Sequence, residues 1–194
     1  MENIFKNSII AAAKSDEGFE ASLNSKVSLV FDLNPDLLTL ADKVKRCHEK
    51  GKKYFVHLDL ASGIGKDKSG ILFTKAAGVD GIISTRVNII RMAREEKLFT
   101  VQRFFLVDSH SIQTTSDAIK SSKPDMIEIM PGIAPKIIKY LNEKLEVPII
   151  AGGLIDSEDE IKAAFESGAT AVSTGRENIW NYRWQEDFNG EAEK

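Results

Sequence analysis

Two glycine-containing segments near the end of this 194-residue chain carry its most specific chemistry. Ile149-Ile150-Ala151-Gly152-Gly153 and Ala171-Val172-Ser173-Thr174-Gly175 each pass from an apolar run into residues that let backbone N–H groups approach an anion closely. Ser173 and Thr174 add hydroxyl donors, the helix start at Glu177 adds its dipole, and Arg176 can add a charge. Gly152, Gly153, Ser173, Thr174 and Gly175 are therefore the candidate phosphate site. Either segment alone reads equally well as a tight strand-to-helix turn; their occurrence in consecutive units favours the anion.

A second set consists of polar residues at the ends of apolar runs: Asp32, His57, Asp59, Ser84, Arg86, Gln102, Arg103 and Glu128. Side chains alternate along a strand. If Val27, Leu29, Phe31 and Leu33 face outward, Asp32 faces inward. The same reasoning turns His57, Asp59 and Glu128 inward, and turns Ser84 and Arg86 inward if Ile83 packs outward. Gln102 and Arg103 lie on opposite faces, and the pattern does not choose between them. Charges at such positions need partners. Their convergence implies a polar ligand; pairing of Arg86 and Arg103 with Asp59 and Glu128 as a buried network is the competing reading.

The elements that must position these groups alternate short apolar runs with longer amphipathic ones. Strands are expected over Ser8–Ala13, Val27–Leu33, Lys53–Leu60, Gly81–Arg86, Phe99–Val107, Met126–Met130, Pro148–Gly153 and Ala169–Gly175. Pro35–Lys50 reads as a helix stopped by Gly51, and Ser157–Ser167 as a helix opened by a Ser157–Glu160 capping box and ended by Gly168. Helical connections between all strands imply parallel pairing, closed as a (β/α)8 TIM-type barrel with some short helices, Lys66–Ala77 and Glu177–Trp184 among them. A doubly wound sheet would place a glycine-rich loop after its first strand, where Lys14-Ser15-Asp16-Glu17 stands instead. Residues 1–185 are expected to form this single domain and 186–194 an acidic tail.

Lys and Arg number 26 against 29 Asp and Glu, for a net charge of −3. The tail accounts for all of that, so the body is formally neutral and lacks the basic excess of a protein that coats polyanions. No apolar run is long enough to cross a membrane, and Met1–Lys6 does not resemble a secretory signal, so a cytoplasmic location and no membrane partner are expected. Cys47 beside His48 reads as an incidental thiol, and no metal or cofactor is expected. A Schiff-base aldolase needs a lysine at a strand's C-terminal end, and the expected strands end without one; Lys53 begins its strand. Proton transfer or metal-dependent hydrolysis through His57, Asp59 and Glu128 remains a conceivable enzyme alternative.

Gly51-Lys52-Lys53, His57-Leu58-Asp59-Leu60, Asp80-Gly81-Ile82-Ile83-Ser84-Thr85-Arg86, Gln102-Arg103-Phe104-Phe105, Glu128-Ile129-Met130-Pro131-Gly132 and Pro148–Ile155 closely resemble, in order, segments of the glycerol uptake operon antiterminator regulatory proteins, the GlpP family. The resemblance implies a non-enzymatic barrel with no catalytic residue. It would bind glycerol 3-phosphate as effector and act on the leader RNA of glycerol-utilisation messages. The glycerol end would then meet Asp32, His57, Asp59, Arg86, Arg103 and Glu128. For RNA the best basic cluster is Lys43, Lys45, Arg46, Lys50, Lys52 and Lys53; Arg91, Arg94 and Lys97 form a second, and for both a solvated helix face is favoured over an RNA contact, because charge runs usually only solvate. The glycine-rich loop 61–70 is expected to bring Lys66 and Lys68 to the mouth and to order on ligand binding. Homo-oligomerisation is left open.

Overall fold

The apolar runs become parallel strands because helices cover one face and the barrel interior the other, which is why they lack a polar side for most of their length. In this computed structural model residues 5, 6 and 8–184 are described; the acidic segment 186–194 lies outside them. The order is β1 (Ser8–Ala13), α1 (Asp16–Asn24), β2 (Leu29–Asp32), α2 (Leu40–Glu49), β3 (Lys53–His57), α3 (Lys68–Ala76), β4 (Gly81–Ser84), α4 (Val87–Glu95), β5 (Phe99–Phe105), α5 (Ser109–Ser122), β6 (Met126–Met130), α6 (Pro135–Lys144), β7 (Ile149–Gly152), α7 (Glu158–Glu166) and β8 (Ala171–Thr174). Each strand pairs in parallel with the next, and β8 pairs with β1 to close the barrel.

The barrel is lean because its connections are short. Among the described residues, four of the seven α-helices have nine residues, and the expected last helix is a single 3-10 turn over Glu177–Ile179. The Ser157–Glu160 capping box forms as read. The helix expected from Pro35 begins only at Leu40, because the Asp36 side chain accepts the Leu38 N–H and holds 36–39 as a turn. Similarly, β3 stops at His57, where Leu58–Leu60 turns into a 3-10 segment.

Two apolar layers define which way each strand faces. Ile10, Leu29, Phe31, Phe55, Ile83, Val101, Met126, Ile150 and Ala171 fill the interior, while Ile9, Val30, Tyr54, Val56, Ile82, Ile127, Ile149 and Val172 pack under the helices. The N-terminal end is plugged by aromatic rings: Phe5 stacks on Phe99 at 5.1 Å and meets Phe55 edge-on at 5.7 Å. A methyl group on Gly81 would stand 2.6 Å from the Phe55 ring, so this floor requires a glycine there.

This facing corrects two expectations. Leu29 and Phe31 point inward, which turns Asp32 outward into the helix layer. Ile83 also points inward, so Ser84 and Arg86 take the helix-side parity. A strand apolar on both faces gives its alternation no sign, and only closure of the barrel supplies one.

Candidate functional site

A pocket of about 380 Å³ opens where the ends of β1, β7 and β8 meet, lined by Lys14, Gly153, Leu154, Asp156, Gly175 and Arg176 above Ala12 and Ser173. The β7 turn reverses through two left-handed residues, Gly153 (φ 75°) and Leu154 (φ 61°). Lys14, the first residue past β1, folds over the β8 turn: its Nζ would lie only 3.6 Å from a methyl group on Gly175. Arg176 clamps Asp156 in a fork at 2.7 and 2.9 Å and holds that carboxyl below the usual range. Arg176 is thus neutralised, and Lys14 is the pocket's unneutralised cation.

The expected hydroxyl donors are already committed. Ser173 donates to Glu128 Oε1, and Thr174 donates to the Ile155 carbonyl at 2.7 Å. Gly152 has a different role from the one expected: a methyl group there would stand 2.6 Å from both Glu128 Oε1 and Ser173 Oγ, so its missing side chain makes room for that pair. The groups left facing the pocket with the chemistry to meet an anion are Lys14 and the backbone of 153, 154 and 175. Lys14 escaped the sequence reading because it stands just outside the first apolar run, although its place after that run was the available signal. It also corrects the expectation that no lysine stands at a strand end; it is exposed, without the burial that activates a Schiff-base lysine.

Beneath the pocket the barrel interior is charged. Arg103 and Glu128 both face inward, settling the choice at β5, and Arg103 Nε donates to Glu128 Oε2 at 2.6 Å. Gln102 faces outward, its Oε1 accepting from Ser122 of α5. His57 sits inward above Phe55 and is 3% exposed. Burial, then the nearby Arg103 charge, pushes its imidazole down to about 4, so it is neutral at pH 7. Among the described residues, His57 Nδ1, Arg103 Nη2 and Gln102 Nε2 are the buried side-chain polar atoms with no hydrogen-bond partner. Two of these three face the barrel axis below the pocket.

Asp59 stands at the rim, accepting from Ser84 Oγ at 2.7 Å and from the Thr85 N–H and hydroxyl at 2.7 and 2.9 Å. Burial opposes its ionisation, but these bonds from Thr85 and Ser84 outweigh it and keep the carboxyl below its ordinary value. Arg86 lies 3.8 Å from Asp59 with its side chain half exposed. Asp32 is absent from this mouth. It accepts from the Tyr54 hydroxyl and from Lys43 at 3.5 Å on the far side of the barrel wall.

The stronger basic cluster is largely spent within the fold. Lys43 binds Asp16 at 2.8 Å, Arg46 binds Glu20 at 2.6 Å, Lys53 binds Asp80 at 2.7 Å, and Lys52 donates to the Ser25 and Val27 carbonyls, each at 2.7 Å. Lys45 lies 3.8 Å from Glu49, which leaves Lys50 alone. The loop lysines also point elsewhere: Lys66 donates to the Ala61 and Ile64 carbonyls of its own loop, and Lys68 lies 3.8 Å from Glu96. Cys47 is buried, its thiol pushed up to about 12 chiefly by burial, and among the described residues no three metal-binding side chains cluster. No helix among them is long and apolar enough to cross a membrane.

The sequence model of one protein family, described as glycerol-3-phosphate responsive antiterminator, matches residues 9–180. The chain belongs to that antiterminator family. It is similar to the glycerol uptake operon antiterminator regulatory protein of Listeria monocytogenes, with 36% identity, coverage of 89% of this chain and 94% of that one, and a TM-score of 0.84. The antiterminator-related protein of Thermotoga maritima is 30% identical, covering 91% and 99%, with a TM-score of 0.81. An uncharacterized Escherichia coli K12 protein, YgcP, is 35% identical over 176 residues, covering 90% of this chain and 92% of its own. Orotidine 5'-phosphate decarboxylase from Pyrococcus horikoshii, at 17% identity and a TM-score of 0.67, shares the fold alone. The family resemblance read from the motifs therefore stands.

Proposed function

We propose that this antiterminator binds glycerol 3-phosphate at the barrel mouth as an effector, without turning it over, and acts on the leader RNA of glycerol-utilisation messages. The observation that carries the ligand half is the pair of buried, unpartnered groups, Arg103 Nη2 and His57 Nδ1, beneath a pocket whose free cation is Lys14. A native interior leaves few buried donors unsatisfied, since each costs about 1–3 kcal/mol, and a ligand oxygen that supplies the missing partner recovers it. In this reading the phosphate lies against the 153–154 and 175 backbone and Lys14. The glycerol hydroxyls descend toward Arg103 and the neutral imidazole of His57. Asp59 holds the rim through Ser84 and Thr85. No cofactor enters this reading.

The RNA half is supported by membership of the family and by the names of its relatives. The test is a titration of leader RNA with and without glycerol 3-phosphate, followed in parallel by phosphorus NMR. Tighter RNA binding in the presence of ligand, with the phosphoester signal unchanged over hours, is the expected result. Inorganic phosphate or a new phosphoester appearing in proportion to protein would replace this reading with an enzyme.

A further inference from the structure

The cations of this barrel are unequally engaged. Most of those of α2 and the start of β3 are held by carboxylates and carbonyls, whereas among the described residues Arg91, Arg94, Lys97 and Lys123 around α4 and α5 are not. A groove of about 410 Å³ runs between these two helices, lined by Arg91, Arg94, Glu95, Ser121, Ser122 and Lys123. Arg91 and Arg94 are exposed and three residues apart, so they project from one helix face. Among the described residues neither they nor Lys97 nor Lys123 has a carboxylate partner. Of the nearby acids, Glu96 is engaged by Lys75 at 3.5 Å and Lys68 at 3.8 Å and Asp117 by Lys120 at 4.0 Å, while Glu95 lines the groove itself, one carboxylate against Arg91, Arg94 and Lys123.

A second observation concerns how these helices end. Gly51, Gly78 and Gly168 follow α2, α3 and α7 in left-handed conformations, with φ of 69°, 87° and 97°, where glycine meets no side-chain clash. After α4 and α5 the same role falls to Lys97 (φ 62°) and Lys123 (φ 51°), which a side chain adopts only under strain. Complementing the helix dipole does not require this, because Arg94 and Lys120 already stand in the two last turns.

We propose that the α4–α5 groove carries the sugar–phosphate backbone of the RNA, with Arg91, Arg94 and Lys123 as its contacts; this rests on the RNA-binding reading above and deepens it. Guanidinium forks match phosphate oxygens in pairs. The groove has no exposed aromatic to stack a base, so its contribution is salt-dependent affinity and not sequence discrimination. It lies beside the C-terminal ends of α4 and α5, toward the start of β5 and away from the ligand mouth. One strand serves both places. Arg103 of β5 faces the barrel interior, where it pairs with Glu128, and its neighbour Gln102 accepts from Ser122 on the groove wall.

The test compares the double variants Arg91→Glu, Arg94→Glu and Lys45→Glu, Lys50→Glu, reading leader-RNA affinity by fluorescence anisotropy at several salt concentrations with saturating glycerol 3-phosphate. The groove variant should bind RNA at least tenfold more weakly, with a salt dependence shallower by about one to two counterions. The α2 variant should change far less, and calorimetry should find glycerol 3-phosphate binding unchanged in both. Lys123→Gly supplies an internal control on folding: it should melt at a higher temperature, having lost the strained conformation, and still bind RNA more weakly. Wild-type RNA affinity in the groove variants, or equal losses in both double variants, overturns the groove while leaving the RNA reading intact. Failure of the wild-type protein to bind leader RNA overturns both.

Discussion

Two buried ionic clusters sit on opposite sides of the same barrel wall, and they differ in completeness. Outside the wall, Asp32 accepts from Tyr54, Lys43 and the Asn34 N–H, Lys43 reaches on to Asp16, and within this cluster no buried side-chain atom is left without a partner. Inside it, Glu128 is equally saturated by Arg103 and Ser173, yet Arg103 Nη2 and His57 Nδ1 are left unmet. Residue types alone do not separate the two clusters, since both contain a carboxylate, a base and a hydroxyl. Saturation separates them. A closed set of hydrogen bonds fixes α2 against β2, whereas the open set is what supports the proposed ligand site.

Glu128→Leu should disturb the inner cluster most. It strands Arg103 without a carboxylate, and urea unfolding should show a loss of about 3–5 kcal/mol. Adding Arg103→Met removes the stranded charge and should recover most of that stability, while glycerol 3-phosphate binding becomes too weak for calorimetry. A stable double variant with wild-type ligand affinity would reduce the inner cluster to a second structural pair.

Acid sharpens the contrast through His57. The unfolded chain takes up this proton near pH 6.5, and the folded protein resists it to about 4. Between these values the unfolded state binds more protons, so the contribution is complete above about 6.5 and falls toward pH 4, by up to about 1.4 kcal/mol per unit. His57→Asn should flatten thermal stability across that window; an unchanged slope would place the titration elsewhere. Asp59 is also shifted down, so its contribution is complete above its ordinary value of 3.8 and is lost only below it, outside this window.

The smallest effect is expected at the closed cluster. Tyr54→Phe deletes the hydroxyl on Asp32 and should lower stability by about 2 kcal/mol in urea, without altering ligand affinity. A loss of ligand affinity in this variant would show that the wall transmits what the comparison treats as separate.

The barrel was legible because each apolar run and each helix stop is encoded locally: the Ser157 capping box and Gly168 bound α7 without reference to the rest of the chain. The inward facing of His57 and Glu128 was legible too, since polar atoms interrupt those strands on one face. Asp32 was not, because Leu29, Val30 and Phe31 are apolar on both faces and only closure tells inside from outside. Nor was the neutralisation of Lys43, Arg46 and Lys53, whose partners Asp16, Glu20 and Asp80 are distant in sequence. Gly152 misled for a related reason, as its missing side chain serves Glu128 and Ser173, two contacts made only in three dimensions.

The aromatic floor of Phe5, Phe55 and Phe99 bears on kinetics. With that end plugged, a small molecule enters and leaves the interior by one door, the mouth. RNA held on the α4–α5 flank as proposed would leave that door open and would not slow ligand entry by obstruction. Any tightening of the effector by RNA would then appear as a longer residence time with an unchanged association rate. The protein could thus exchange its effector while still attached to the transcript, and sample the metabolite pool throughout the lifetime of the complex.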